Sequence, residues 1–175
     1  MLLLFDIQYS KVVLIYEKKW EGALKSQCSC GEVQFEMTEK PLFVHACHCT
    51  NCQRQSGSAH ALNGMIEAKH INLLSGQPEG AEVATGSGQG QTIYRCPTCK
   101  IGLWSVYAAA SDKFFFVRIG TLEDPGSYPP DINIFTKSKQ PWVPLMPDIP
   151  ATEGYYDAKE LWSQEALARM KAAVS

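Results

Sequence analysis

The sequence predicts an all-β, antiparallel domain closed by a C-terminal helix. Three observations carry that expectation. Short apolar runs recur at close spacing, turn-forming clusters separate them, and a helical stripe is confined to the last residues. At 175 residues and 45% hydrophobic, the chain can bury one ordinary core without disulfides or a partner, so a single domain is expected.

The first strand is Val33-Gln34-Phe35-Glu36-Met37, where apolar and polar residues alternate as on a half-buried sheet. Pro41 introduces a short apolar run at 42–44, and further strands are expected over 59–66, 71–74, 82–85, 92–94, 103–107, 114–119 and 132–135. Turn residues intervene at Ser75-Gly76-Gln77-Pro78 and Asp124-Pro125-Gly126. Gly86-Ser87-Gly88-Gln89-Gly90 has the composition of a phosphate cradle, but strand-like Thr92-Ile93-Tyr94 follows where a nucleotide loop needs a helix N-terminus. A hairpin turn, able to serve as a lid, is expected instead. The proline-rich run from Pro141 to Pro150 reads as a strap over the sheet. For the C-terminal helix, Asp157 is the expected cap, Glu160 occupies the capping-box position, and Trp162, Ala166, Met170 and Val174 form a packing stripe.

Charge narrows the function classes. With 16 Lys+Arg against 18 Asp+Glu, no global positive field draws the chain to nucleic acid or an anionic membrane. The apolar runs 2–5 and 12–16 are too short for a signal-peptide core, and no later stretch approaches the roughly 20 residues of a transmembrane helix. A soluble, cytoplasmic protein is expected. In that reducing setting seven cysteines point to metal or thiol chemistry rather than disulfides.

The cysteines form three tight groups: Cys28-Ser29-Cys30-Gly31, Cys47-His48-Cys49-Thr50-Asn51-Cys52 and Cys96-Pro97-Thr98-Cys99. Pairs one or two residues apart can turn two sulfurs toward one ion while backbone amides hydrogen-bond the thiolates. A thiolate-rich tetrahedral set favours zinc, with iron as the other metal it accommodates. A redox pair at Cys96 and Cys99 would need a strand-to-helix context that the sequence does not offer. Seven ligands cannot complete two four-cysteine sites. The spacing allows Cys28, Cys30, Cys96 and Cys99 to close one structural site, with Cys47, Cys49 and Cys52 converging on a second ion whose fourth position stays open. Three thiolates make that ion soft and ready to accept another sulfur. A thiol so bound ionises near neutral pH and can attack an aldehyde carbonyl.

These motifs resemble those of the glutathione-dependent formaldehyde-activating enzyme family: C-x-C-G before a strand, C-H-C-x-x-C with a following S-G (Ser56-Gly57), and C-x-x-C. Gly120-Thr121-Leu122-Glu123-Asp124-Pro125, Lys137-Ser138-Lys139-Gln140-Pro141-Trp142 and Glu153-Gly154-Tyr155-Tyr156-Asp157 extend the likeness over residues 20–157. The chain departs from the pattern at Lys100, where members often carry glycine, and at Asn133, where they often carry histidine. The resemblance implies a tent-like, zinc-bound antiparallel fold, the same four-plus-three division of cysteines, and a carbon–sulfur lyase that makes or breaks S-hydroxymethylglutathione. Residues 1–19 are then an N-terminal extension, 20–157 the zinc domain, and 158–175 a helix packed on it.

Cys47, Cys49 and Cys52 are thus the expected catalytic residues, with glutathione and a small aldehyde as partners. Glutathione carries two carboxylates, and Arg54, two residues past Cys52, is the expected clamp for one of them; Lys100 and Arg95 are weaker candidates. His48 is expected to point away from the ion, and His45 to be an ordinary strand residue able to face the same side as Cys47. His60 and His70 carry no distinguishing context, and no general base stands out. Two further readings are a non-enzymatic zinc module recognising a protein or thiol ligand, and a methionine-sulfoxide reductase. The latter would need a reactive cysteine outside the metal sites, and the division leaves none.

Overall fold

A computed structural model describes residue 20 and residues 22–110 and 112–175; the expected extension 1–19 lies outside the described residues. The chain builds ten strands and three short α-helices among the described residues. A small sheet has the order β1 (Leu24–Gln27), β2 (Gln34–Met37), β5 (Ile71–Ser75). A large sheet runs β10 (Ile132–Ile134), β3 (Phe43–Cys47), β4 (Ala61–Glu67), β9 (Phe114–Arg118), β8 (Gly102–Tyr107), β7 (Gln91–Arg95), β6 (Glu79–Val83).

Strand alternation explains the layering. On β3, Val44 and Ala46 are buried on one face, while Phe43, His45 and Cys47 are buried on the other. The Val44 face, with Ile66 of β4, Val117 of β9 and Trp104 of β8, packs against Phe35 and Met37 of the small sheet; Phe35 meets Trp104 edge-on at 5.0 Å. The Phe43 face, with Met65 and Phe114, packs against Trp162 and Ala166 of the C-terminal region. The large sheet is therefore covered by the small sheet on one side and by helix on the other.

The mostly-β architecture agrees with the sequence reading, with five corrections of detail, the first being that β1 (Leu24–Gln27) precedes the strand expected to open the fold. Strand β6 spans Glu79–Val83 rather than 82–85, because the chain leaves the ladder after Val83 and Thr85 Oγ1 accepts from the Gly90 amide at 3.0 Å. Among the described residues pairing is antiparallel except around β10, which runs parallel to β3 with Ile134 opposite Cys47 and bridges Ala151 in parallel through Asn133. A helix not anticipated, α1 (Thr50–Ser56), follows β3; Cys49 is its N-cap and Gly57, at φ 63, terminates it in the left-handed conformation that suits glycine. The C-terminal helix is broken into α2 (Ala158–Leu161) and α3 (Gln164–Val174). Asp157 caps the first as expected, but Trp162 turns extended to stack on Phe43 at 5.5 Å, and Ser163 Oγ caps the second through the Ala166 amide at 3.1 Å. Val174, the last of the expected stripe, is 56% exposed.

Helix α3 is clasped to the sheet by charge as well as packing. Glu67 at the end of β4 is buried, and Arg169 donates to both its oxygens, from Nε at 3.0 Å and from Nη2 at 2.6 Å. Burial alone would raise the Glu67 pKa; the hydrogen bonds and charge of Arg169 reverse this and hold it below the usual value. The 86–90 run forms the expected hairpin turn between β6 and β7, with Gly88 and Gly90 both at φ 77. The 141–150 segment carries Trp142 at 72% exposure, and its end aligns beside β10 through Asn133 N to Pro150 O at 2.8 Å.

Candidate metal centre and adjoining cavity

The fold brings the seven cysteines into two groups. Cys28 and Cys30 lie in the β1–β2 turn and Cys96 and Cys99 in the β7–β8 turn, so one group joins the small sheet to the large one. Their four sulfurs lie within 4.8 Å of one another, with Cys28 to Cys30 at 3.4 Å and Cys30 to Cys96 at 3.6 Å. Four sulfurs each about 2.3 Å from a tetrahedral zinc would stand roughly 3.8 Å apart, so the set fits such an ion. The backbone is shaped for it. Val33 N donates to Cys28 Sγ at 3.3 Å and Cys99 N to Cys96 Sγ at 3.5 Å. Lys100 adopts φ 61 after Cys99, the left-handed conformation that explains why glycine suits this position. Burial pushes the Cys28 thiol up, but the Val33 amide and the sulfurs of Cys30 and Cys96 bring it below its ordinary pKa. The Cys99 thiol is lowered to about 6, first by the backbone at Ile101.

The second group, Cys47, Cys49 and Cys52, also has its sulfurs within 4.8 Å of one another. Cys47 ends β3, Cys49 caps α1, and Cys52 sits in its first turn with its amide donating to Cys49 Sγ at 3.3 Å. The helix start thus directs backbone N–H groups at sulfur, which favours the thiolate. Donation from Cys47 and then Cys52 holds Cys49 far below the ordinary thiol range. Cys47 is pushed up, first by its bond to Cys49. Cys52 is lowered by Cys47 but raised more by Cys49 and burial, ending at about 11, with the Arg118 charge opposing the rise. Three sulfurs this close together fit three of the four positions of a tetrahedral site.

Hydrogen bonds lock this loop in place. Gln53 Nε2 donates to His48 O at 2.7 Å and to Ser138 O at 2.8 Å, and Ser138 Oγ donates to His48 O at 3.0 Å. His48 is buried and turns to Asn133, its Nε2 lying 3.1 Å from Asn133 Oδ1, so Asn133 fills the position of the departure as a hydrogen-bond partner. The His60 ring lies 4.9 Å from that of His48, and His70 Nδ1 lies 3.3 Å from Thr38 Oγ1.

Above the three sulfurs lies a cavity of about 690 Å³, lined in part by Cys47, Cys49 and Cys52. Its walls come from distant segments: His45 and Asn63 from β3 and β4, Thr85, Gly86 and Ser87 from the β6–β7 turn, Tyr107 and Phe116 from β8 and β9, and Phe135 and Tyr155 from the later chain. The glycine-containing turn thus forms part of the cavity wall. His45 faces the cavity beside Cys47, but both ring nitrogens are engaged, one with the Asn63 backbone and Nε2 with the Tyr156 hydroxyl at 2.7 Å. Burial lowers its pKa to about 4, and the two hydrogen bonds fix the ring as part of the cavity wall.

Arg54 is exposed in the last turn of α1 and is not among the residues lining this cavity. Arg95 donates to Gln55 Oε1 at 2.7 Å, and Lys100 lies 3.6 Å from Glu79 at the surface. Sequence reasoning missed Arg118, Asn63, Tyr107 and Tyr155. Arg118 sits in an otherwise apolar strand and donates to Asn63 Oδ1 and, at 2.9 Å, to Ser105 Oγ. Burial first, and then the Cys52 charge, raises the Tyr107 phenol pKa, against the pull of Arg118.

A two-sheet β domain with one four-cysteine and one three-cysteine cluster, the latter at the edge of a cavity, defines a cysteine-rich domain able to hold two metal ions. The model of the family described as glutathione-dependent formaldehyde-activating enzyme matches residues 23–138, which span all seven cysteines, and the chain belongs to that family. No curated protein matches the chain. A solved structure of a Rhodobacter sphaeroides protein is similar with a TM-score of 0.44 and 16% identity, covering 73% of this chain and 99% of that one. Among the described residues, no helix is long and apolar enough to cross a membrane.

Proposed function

We propose that the protein is a zinc-dependent carbon–sulfur lyase-type enzyme that forms or cleaves a glutathione–aldehyde adduct, and that residues 20–175 act as one unit in doing so. Family membership supports glutathione and formaldehyde chemistry, and the observation that carries the reading is three convergent sulfurs at the edge of an accessible cavity. In this reading Cys28, Cys30, Cys96 and Cys99 hold a structural zinc, and Cys47, Cys49 and Cys52 hold the catalytic one. A zinc ion at the three-cysteine site would lower the pKa of an incoming thiol and fix its sulfur in place.

The reaction needs little else from the chain. The thiol sulfur forms a bond to the aldehyde carbon, the carbonyl π electrons move to oxygen, and the thiol proton ends on that oxygen; cleavage is the reverse. Cys52 N–H stabilises charge on the ligand set through Cys49. The rings of Tyr107, Phe116 and Phe135 exclude water from the reacting carbon, while the Asn63 side chain and the Tyr107 hydroxyl are the nearby polar groups for its oxygen. Arg54, exposed in the last turn of α1, is the proposed anchor for a glutathione carboxylate held outside the cavity.

Zinc-loaded protein mixed with glutathione tests this directly by X-ray absorption at the zinc edge. An increase in mean sulfur coordination is expected in the wild type and absent in Cys49→Ser. Unchanged coordination in the wild type would remove the case for thiol capture.

A further inference from the structure

The cavity wall does not match the chemistry of glutathione. Among its described lining residues there is no lysine, arginine, aspartate or glutamate. Glutathione carries two carboxylates and an ammonium group, and burying such charges without partners is strongly unfavourable. Arg54, Arg95 and Lys100 do not line this space, and Arg118, the cation behind it, already donates to Asn63 and Ser105.

What the wall does offer is rings. Tyr107 and Phe116 meet edge-on at 4.8 Å, Phe135 and Tyr155 stand 6.2 Å apart, and His45, held by the Tyr156 hydroxyl at 2.7 Å, stacks on Tyr155 at 6.2 Å. Ile134, Ala109 and Ala110 complete the apolar surface. Phe135 is held at φ 55, a conformation that is strained for a bulky residue, with its amide donating to Gly154 O at 3.0 Å. Formaldehyde has no apolar surface with which to use such a wall, whereas an aromatic ring packs on it face or edge.

We propose that the cavity beside Cys47, Cys49 and Cys52 receives the carbon half of the adduct, and that this half is an aromatic aldehyde rather than formaldehyde. The inference rests on the adduct chemistry proposed above and names its substrate class. The sulfur sits at the cluster edge, the charged ends of the thiol stay in water at the rim, and the aryl group enters the ring-lined space. The covalent step is unchanged: the sulfur–carbon bond forms as the carbonyl π electrons pass to oxygen, and no redox partner is required.

Unreactive thioethers separate recognition from chemistry. Titration calorimetry on zinc-loaded protein would compare S-benzylglutathione with S-methylglutathione, and phenylmethanethiol would serve as a probe without the tripeptide. S-benzylglutathione is expected to bind at least tenfold more tightly than S-methylglutathione, about 1.4 kcal/mol. Phe135→Gly removes one ring while suiting the left-handed backbone, so it should fold; it and Tyr155→Ala should each cut that preference severalfold. Equal affinities of the two thioethers would overturn the proposal while leaving glutathione binding intact. Binding of phenylmethanethiol alone would overturn the glutathione reading, because a metal-held thiol would then need no tripeptide. Binding of none of the three would overturn both.

Discussion

The two cysteine clusters use the same ligand atom in opposite topological settings. Cys30 and Cys96 are 66 residues apart in sequence and 3.6 Å apart in space, so the four-sulfur group ties the small sheet to the large one. Cys47 and Cys52 are neighbours on one β3–α1 turn, which tertiary hydrogen bonds from Gln53 and Ser138 already hold. An ion in the first group closes a long loop and so contributes folding free energy; an ion in the second orders little that is not already ordered. The second group instead faces a cavity and lacks a fourth sulfur. The proposed division into one stabilising and one reacting metal rests on this difference in ligand count and sequence separation.

The largest effect should come from breaking the long-range group. Cys99→Ser replaces a soft ligand by a hard, poorly coordinating one. It should lower Tm by about 10 °C or more and reduce soluble yield, corresponding to several kcal/mol at this chain length. Thermal melts with zinc content read before and after chelation would check it. A Cys99→Ser melt matching the wild type would show that the sheets do not depend on this site.

A clasp without sulfur provides the next test, because it supports the core behind the three-cysteine group and not the other. Arg169→Met leaves Glu67 buried without its bidentate partner, a change that typically costs about 3–5 kcal/mol. The sign with pH follows from the lowered Glu67 pKa. A depressed carboxylate stabilises the fold above its unfolded pKa, about 4.3, and that contribution disappears as pH falls through the folded value. The Tm gap between wild type and Arg169→Met should therefore be full near pH 7 and shrink through the carboxylate range. A gap that widened toward acid would contradict the assignment. Zinc retained at the four-cysteine site near pH 7 would show that the clasp and that site are independent.

Much of this comparison was legible in the sequence because metal-binding turns are local: C-x-C, C-x-x-C and their glycines announce themselves within six residues. The four-plus-three division was allowed by the spacing of the seven cysteines and implied by the family resemblance. What the sequence concealed was non-local or unconventional. Helix α1 is capped by Cys49, a residue seldom considered as a cap, although Gly57 gave a usable C-terminal signal. The break at Trp162 results from stacking on Phe43, which lies more than a hundred residues away in sequence. The parallel β10 edge and the cavity arise where distant loops meet, and no periodicity reports that. Arg118 was hidden inside an apolar strand pattern. Arg54 was placed by sequence proximity to Cys52, yet the helix that carries it turns its side chain to solvent.

The smallest effect on stability, and the sharpest on binding, should come from Cys49→Ser. Serine can still accept the Cys52 amide bond as a helix cap, so α1 keeps its start. The loop also retains Gln53 and Ser138 on the His48 carbonyl and the His48–Asn133 bond. Tm should move by no more than about 2–4 °C, the shift expected for 1 kcal/mol in a domain of this size. Zinc content should nevertheless fall by up to one equivalent, because two remaining thiolates hold the ion poorly, and glutathione binding should fall with it. Measuring melts, metal content and glutathione binding for Cys49→Ser and Cys99→Ser in one reducing buffer gives the contrast its strictest form. Equal destabilisation by the two substitutions would mean that both clusters are structural. Intact glutathione binding by Cys49→Ser would mean that the thiol is held elsewhere, and the three sulfurs would lose their proposed role.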